Sequence, residues 1–225
     1  MSTATMARSD TEIQRDVLDE LGWDARVRAS DIGVSVSSGI VTLTGWVDSY
    51  ATKWAAERSA HRIRGIRAVA NDIEVRLPAT DRRADPDIAL AASRAMEWDA
   101  FVPADEIQVT VANGWVTLRG EVAQGHQRRA AERAARRLTG VRGVTNLIAV
   151  RPARRAPAED VARDIRNALA RRGDLDATGI DVAVDGEVVV LVGEVRSWPE
   201  REEAERVAWA APGVSEVEVR LTLAP

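Results

Sequence analysis

The amino-acid sequence predicts an α+β protein made of three tandem αββαβ two-layer units, each a small three-stranded mixed sheet with two helices on one face. Three observations lead to this prediction. The chain repeats itself three times in one register. The apolar residues of each copy follow helical and strand spacing in the same order. The composition is 45% hydrophobic with a single Phe and a single Tyr, so small cores of Ala and Val are expected.

The repeat is anchored on three glycines, Gly45, Gly120 and Gly193, which are spaced 75 and 73 residues apart. Each anchor is followed two residues later by a valine and twenty residues later by a second glycine. The second set comprises Gly65, Gly140 and Gly213. An isoleucine stands thirteen residues before each anchor. These coincidences predict three domains at residues 9–77, 86–150 and 158–223, called units 1, 2 and 3 below.

The first helix of each unit is indicated by apolar residues at helical spacing. In unit 1 these residues are Ile13, Val17, Leu18 and Leu21, which follow Ser9 or Asp10 as the expected N-cap. Residues 32–43 then alternate with period two around a Ser-Ser-Gly turn, a pattern typical of a β-hairpin.

The second helix of unit 1 is predicted over residues 50–64, where alanines recur on one face. Gly65 is a typical left-handed helix stop, and residues 69–77 form the last predicted strand. Alternating strands imply one buried sheet face, which both helices should cover, while the other face stays open.

Three short stretches carry a resemblance to a known family. They are "LTGWV" at 43–47, "LRGEV" at 118–122 and "LVGEV" at 191–195, each followed by a helix with Ala-Glu-Arg and a Gly-Val-type exit. This ordered set resembles the BON domain, named after bacterial osmotic-shock-protection and nodulation proteins. The resemblance covers almost the whole chain in three copies.

The resemblance implies a non-enzymatic bacterial protein that associates with phospholipid surfaces or other envelope components under osmotic or envelope stress. The first residues contain no apolar segment of the export-signal type, and no apolar run approaches the roughly 18 residues that span a bilayer. We therefore expect a cytoplasmic protein, peripheral to the membrane, without a transmembrane segment.

Catalytic and metal chemistry finds little support in the composition. The chain has no cysteine, and its two histidines, His61 and His126, occupy non-equivalent helix positions in different units. No nucleophilic triad, metal site or phosphate-binding glycine loop is therefore predicted, and no cofactor is expected.

The glutamates of the repeated Ala-Glu-Arg triplets are read as exposed structural residues. Each has a basic residue four positions earlier, which places both charges on one helix face as a weak ion pair. The expected pairs are Lys53 with Glu57, Arg128 with Glu132, and Arg201 with Glu205.

The second helix of unit 2 carries an unusual number of arginines, namely Arg128, Arg129, Arg133, Arg136 and Arg137. Unit 3 is strongly acidic, with 15 acidic against 8 basic side chains in residues 158–225. The arginines are candidates for binding an anionic phospholipid surface or a protein partner, and docking onto unit 3 fits equally well. A nucleic-acid-binding module using this helix is a second hypothesis, although a pI of about 5.4 and the lack of interleaved aromatic residues argue against nucleic acid as a partner. A pure scaffolding array is a third hypothesis.

Three tryptophans are candidates for either a surface or a packing role. Trp23 and Trp98 occupy the same register position after the first helix, and we expect them to be half-buried at the helix–strand corner, with an interfacial membrane anchor as the alternative. Trp46 follows an anchor glycine where the other units have Glu121 and Glu194. Its side chain is therefore predicted to be exposed and is a further surface-binding candidate.

Overall fold

A computed structural model describes residues 8–173 and 175–224 of the chain, so the first seven residues, on which the export-signal expectation partly rests, lie outside it. Each unit runs in the order helix, two strands, helix and final strand. The elements of unit 1 are α1 (Asp10–Trp23), β1 (Ile32–Ser37), β2 (Ile40–Val47), α2 (Tyr50–His61), β3 (Ala68–Asn71) and β4 (Glu74–Val75).

Units 2 and 3 repeat this order with one continuous final strand each. Unit 2 comprises α3 (Asp85–Glu97), β5 (Ile107–Ala112), β6 (Trp115–Val122), α4 (Gly125–Arg136) and β7 (Gly143–Val150). Unit 3 comprises α5 (Ala158–Ala170), β8 (Ile180–Asp185), β9 (Val188–Val195), α6 (Trp198–Ala208) and β10 (Glu216–Leu223).

Each unit has its own sheet, and the hairpin's second strand is the central one. The hairpin strands pair antiparallel and the final strand pairs parallel to the central strand, which makes each sheet mixed. Both helices contribute buried residues to the same core as the inward side chains of the sheet, such as Val17, Leu43 and Ala56 in unit 1. The predicted fold class is confirmed.

The last strand of unit 1 differs from the prediction of one continuous strand. It is divided into β3 and β4, and both pieces pair with β2. At the interruption the Asn71 side chain accepts a hydrogen bond from the Ile73 amide at 3.3 Å. Asn146 makes the same contact with Ile148 in unit 2 without interrupting β7.

The anchor glycines lie where the central strand passes the turn that precedes the first strand. Gly120 has a φ of 138°, and a Cβ atom built on it would lie 2.0 Å from the carbonyl oxygen of Glu106. Gly45 and Gly193 have φ values of 107° and 133° and face equivalent carbonyls at 2.1 and 2.0 Å. The repeat therefore keeps glycine at this position because no side chain fits there.

An aspartate at the start of the first helix ties the hairpin turn to that helix in units 1 and 2. Asp85 accepts hydrogen bonds from the amides of Asn113 and Gly114, both at 2.8 Å. Asp10 does the same for Ser38 and Gly39 at 2.8 and 2.9 Å. In unit 3 the equivalent residue is Ala158, so this tie is not repeated there.

Replacing Asp85 by Ala should lower the free energy of unfolding by about 1–3 kcal/mol, because two turn amides lose a charged acceptor. Asp87→Ala is the matched control, since it also removes one acidic charge from the first turn of α3. Urea denaturation of both variants gives the comparison. Equal losses would mean that the turn amides contribute nothing beyond the helix-terminal charge.

Candidate functional site

The second helices of the three units, α2, α4 and α6, bring the units into contact through equivalent positions. The residues five positions after each anchor glycine are Tyr50, Gly125 and Trp198. The residues sixteen positions after each anchor are His61, Arg136 and Trp209. At every junction the residue five positions after the anchor of one unit lies beside the residue sixteen positions after the anchor of the next unit.

Unit 3 contacts unit 1 through Trp198. The indole ring packs against the core of unit 1 and stacks on His61, with ring centroids 4.4 Å apart and 14° between the planes. Its Nε1 donates a hydrogen bond to the carbonyl oxygen of Ile66 at 2.8 Å. Beside it, Arg58 and Glu202 form an ion pair at 3.1 Å.

Unit 1 contacts unit 2 through Tyr50 and Trp54. Tyr50 packs against the core of unit 2, and burial raises the pKa of its hydroxyl. The Arg136 guanidinium of unit 2 lies over the ring of Trp54, with its Cζ 3.7 Å from the centroid. This close cation–π contact is partly desolvated and is correspondingly favourable.

At the junction between units 2 and 3 the aromatic residue comes from the opposite side. Trp209 of unit 3 packs against the core of unit 2 and occupies the space in front of Gly125. A Cβ atom on Gly125 would lie 2.5 Å from the Trp209 ring. Arg128 adds a cation–π contact to this ring at 5.8 Å. A glycine in one partner therefore accommodates a tryptophan in the other.

These three junctions close the chain into a ring. Each interface is of the head-to-tail type, because two different surfaces are in contact. Repeating such an interface gives a closed ring when the rotations that relate successive units bring the last unit back to the first. Unit 3 returns to unit 1, so the ring closes within one chain.

Closure of the ring covers some of the five candidate arginines in and just after α4 and leaves others exposed. Arg128 and Arg136 lie against tryptophans of the neighbouring units, and burial lowers the pKa of Arg129 and Arg136. Arg133 and Arg137 remain exposed. The sequence left open both an anionic surface and docking onto unit 3, and helix spacing alone does not indicate which arginines face a neighbouring unit.

Two of the repeated glutamates, Glu57 and Glu132, are half-buried and have partners other than those predicted. Glu57 accepts a hydrogen bond from Asn71 Nδ2 at 2.8 Å, and Glu132 accepts one from Asn146 Nδ2 at 3.1 Å. Glu132 also pairs with Arg136 at 3.7 Å, one turn later rather than one turn earlier. These carboxylates therefore link the second helix to the final strand, which the expectation of fully exposed pairs missed.

The two register-equivalent tryptophans are exposed, so the half-buried interpretation was wrong. Trp23 is 85% exposed and Trp98 is 88% exposed. Phe101, which sequence reasoning overlooked, is 62% exposed nearby in the chain and contacts His126 edge-on at 6.1 Å. Trp23, Trp98 and Phe101 are called the aromatic group below. In unit 3 the position of Trp23 and Trp98 is taken by the exposed Arg171.

Trp46 is half-buried, contrary to the prediction of an exposed side chain. The Arg76 guanidinium lies 6.0 Å from its ring centroid and partly covers it. Arg76 follows the short strand β4, which pairs with the end of β2 that carries Trp46. The burial of Trp46 therefore depends on this strand pairing, which the sequence position of Trp46 does not indicate.

The described residues offer neither a metal site nor a membrane-spanning helix. No group of three or more His, Asp or Glu within residues 8–173 and 175–224 is placed to hold a metal ion. In the same residues, no helix combines the length and apolar character needed to cross a bilayer.

The junction between units 3 and 1 should weaken in mild acid. Burial lowers the pKa of His61, so the closed ring favours the neutral imidazole. The charged groups around it are Glu57, Glu202, Arg58 and Arg201. The contribution of His61 is complete above a pH of about 6.5 and is lost as the pH falls below that value.

Thermal unfolding at about pH 7.5 and about pH 5.5 measures this dependence. His61→Phe keeps an aromatic ring under Trp198 but cannot titrate, so its stability should fall less between the two pH values. A loss as large as that of the unmodified chain would show that carboxylates alone set the pH dependence.

The chain is similar to a protein family, to a relative of known name and to two solved structures. The family model described as "BON domain" matches residues 9–76, 84–152 and 157–225. A relative from Escherichia coli (strain K12), "Osmotically-inducible protein Y", is 27% identical over 141 residues, which cover 61% of this chain and 70% of the relative.

Among solved structures, CdsD, a structural protein of the type III secretion system of Chlamydia trachomatis, aligns at a TM-score of 0.27 and 11% identity over 95% of this chain and 93% of that chain. A structure of its C-terminal domain aligns at a TM-score of 0.26 and 12% identity, over 97% of this chain and all of that domain. Scores this low establish no shared arrangement.

Proposed function

Because this chain belongs to the BON domain family, we propose that it is a non-enzymatic, stress-associated protein that attaches to anionic phospholipid surfaces through the aromatic group of units 1 and 2. The association with stress is supported by the name of the osmotically inducible relative. The single observation that carries the proposal is the near-complete exposure of Trp23 and Trp98 at equivalent positions.

Exposed tryptophans require an explanation, because burying an indole ring is among the most favourable contributions a core can gain. The helix periodicity is satisfied without them, since Leu21 and Met96, two residues earlier, fill the cores of units 1 and 2. Tryptophan favours the headgroup zone of a bilayer, where its ring meets apolar chains and its N–H meets water. Repetition of this exposure in two units supports a surface role.

Basic side chains supply the preference for anionic lipid. Arg171 holds the equivalent position in unit 3 and is exposed. Arg133 on α4 and Arg137, the residue that caps its C-terminal end, lie four residues apart, and both are exposed. Each basic residue near an anionic surface contributes about 1 kcal/mol. Arg128, Arg129 and Arg136 are left out of this contact, because their partners lie in other units or their burial already desolvates them.

Vesicle flotation tests the proposal with phosphatidylcholine vesicles and with vesicles that also contain phosphatidylglycerol. The wild-type chain should float with the anionic vesicles and much less with the neutral ones. The Trp23→Ala/Trp98→Ala variant should bind at least about tenfold more weakly, because both interfacial anchors are lost. Arg133→Gln/Arg137→Gln should lose up to about 2 kcal/mol of binding at low salt and less at high salt.

Trp115→Ala is the matched control, since it removes another partly exposed tryptophan from the sheet of unit 2. This variant should bind like wild type. Equal binding to neutral and anionic vesicles at low salt, or equal weakening by Trp115→Ala and by the double tryptophan variant, would contradict the proposal.

A further inference from the structure

The open sheet face of unit 3 differs in chemistry from those of units 1 and 2. Its central strand β9 presents Val188, Val190 and Val192 outward, because the alternate residues Val189 and Leu191 are buried. Val192 is 43% exposed. The equivalent outward positions are Ile40, Thr42 and Thr44 in unit 1 and Trp115, Thr117 and Arg119 in unit 2. Only unit 3 therefore carries an unbroken apolar stripe along the middle of this face.

The strands on both sides of the stripe are acidic. Strand register places Asp185 and Glu216 on either side of Val188, and Asp181 and Arg220 on either side of Val192. The carboxylates of this face are Asp181, Asp185, Glu194, Glu216 and Glu218. Its single guanidinium, Arg220, is already paired with Glu218 at 2.6 Å. The valines and these flanking residues are called the valine face.

Several classes of ligand do not fit the valine face. Phospholipid headgroups and nucleic acids are anionic and would be repelled by the carboxylates. A single metal ion cannot be shared between the two flanking strands, because they stand two strand spacings, about 9.5 Å, apart. A free small cation would leave the valines exposed, and an apolar partner without charge would leave the carboxylates desolvated and unpaired.

We propose that the valine face is a docking surface for a protein partner that presents a cationic, amphipathic segment, with branched apolar side chains between lysines or arginines. The apolar side chains would cover the valines, and the basic groups would reach the carboxylates on both flanking strands. Complementary charge gives such a contact its specificity and its association rate, and apolar burial at the centre gives it stability. This inference does not rest on lipid binding, because the aromatic group and the valine face share no residue.

Fluorescence anisotropy with a labelled seven-residue peptide of alternating lysine and valine provides a defined probe. The full chain should bind this peptide at least about tenfold more tightly than a peptide of equal charge in which serine replaces valine, since only the former buries apolar surface. Binding should weaken with added salt. A peptide in which glutamate replaces lysine should not bind.

Two variants with the same change in charge locate the binding site. Val192→Lys places a cation in the valine face at an exposed position and should weaken peptide binding about tenfold or more. Thr44→Lys places the same charge at the equivalent position of unit 1 and should leave binding within about twofold of wild type. Glu218→Gln is a second, milder variant, which should weaken binding without introducing a new side chain volume.

Three outcomes would overturn the inference. Equal affinity for the valine and serine peptides would mean that only bulk charge is recognised. Equal weakening by Val192→Lys and Thr44→Lys would place the site elsewhere. Sedimentation showing that wild type self-associates and that Val192→Lys is monomeric would assign the valine face to a second copy of the chain.

Discussion

Gly120→Ala is expected to destabilise the protein by at least about 3 kcal/mol. A Cβ atom at this position would overlap the carbonyl oxygen of Glu106 at 2.0 Å, and the φ of 138° is one that side chains rarely adopt. The clash is between the Gly120 backbone position on β6 and the backbone of the turn before β5. Neither segment can move away without breaking the pairing of β5 with β6. Chemical denaturation followed by circular dichroism measures the loss.

Gly22→Ala is the control for the same chemical change. Gly22 lies in α1, and an added Cβ there would have nothing within 4 Å. This variant should be neutral or more stable by up to about 1 kcal/mol, because alanine is the better helix former. If Gly120→Ala were as well tolerated as Gly22→Ala, the close approach of the central strand to the preceding turn would be wrong.

Trp198→Ala should have the second-largest effect, a loss of about 2–4 kcal/mol from the junction between units 3 and 1. The variant removes the stack on His61, the hydrogen bond to the Ile66 carbonyl and the packing on the core of unit 1. Because the side chain contributes to another unit's core, the loss should appear in the unfolding of unit 1 as well as of unit 3. Amide hydrogen exchange resolves the two units.

Trp23→Ala provides the comparison, since Trp23 is 85% exposed in the same protein. Its stability should stay within about 0.5 kcal/mol of wild type. Exchange rates of unit 1 that do not respond to Trp198→Ala would show that unit 3 does not rest on unit 1.

Features that depend on neighbours within one unit could be predicted from the sequence. The spacing of Ile32, Gly45 and Gly65 is set by hairpin length, by the turn contact of the glycine and by the end of the second helix. Each of these is a local constraint that repeats in every copy, so the repeat itself reveals the elements.

The exposure of Trp23 could have been predicted by the same local reasoning. It stands two residues after the buried Leu21, and two residues correspond to about 200° around a helix, the opposite face. Trp98 has the same relation to Met96. The half-buried interpretation gave weight to residue type and overlooked this angle.

The arrangement of the arginines could not be predicted in this way, because it depends on contacts between units. Arg136 lies on Trp54 only because the chain returns on itself, and helix periodicity contains no information about a distant unit. One signal was available in the repeat alignment. Gly125 is small where the other units have Tyr50 and Trp198, and Trp209 is a large aromatic residue where the other units have His61 and Arg136. A small residue in one unit and a large one in another are expected where the two face each other.

Closure of the three units into one ring is tested most directly by cross-linking unit 1 to unit 3. The chain has no cysteine, so a pair introduced as Arg58→Cys and Glu202→Cys can be joined by a short bifunctional maleimide. The native side chains meet at 3.1 Å across the junction of units 1 and 3. A control pair combines Arg58→Cys with Glu159→Cys, on an exposed position of α5. In dilute protein, a ring predicts a high yield of the internally linked chain for the first pair and a low yield for the second. Equal, low yields for both pairs would contradict the ring.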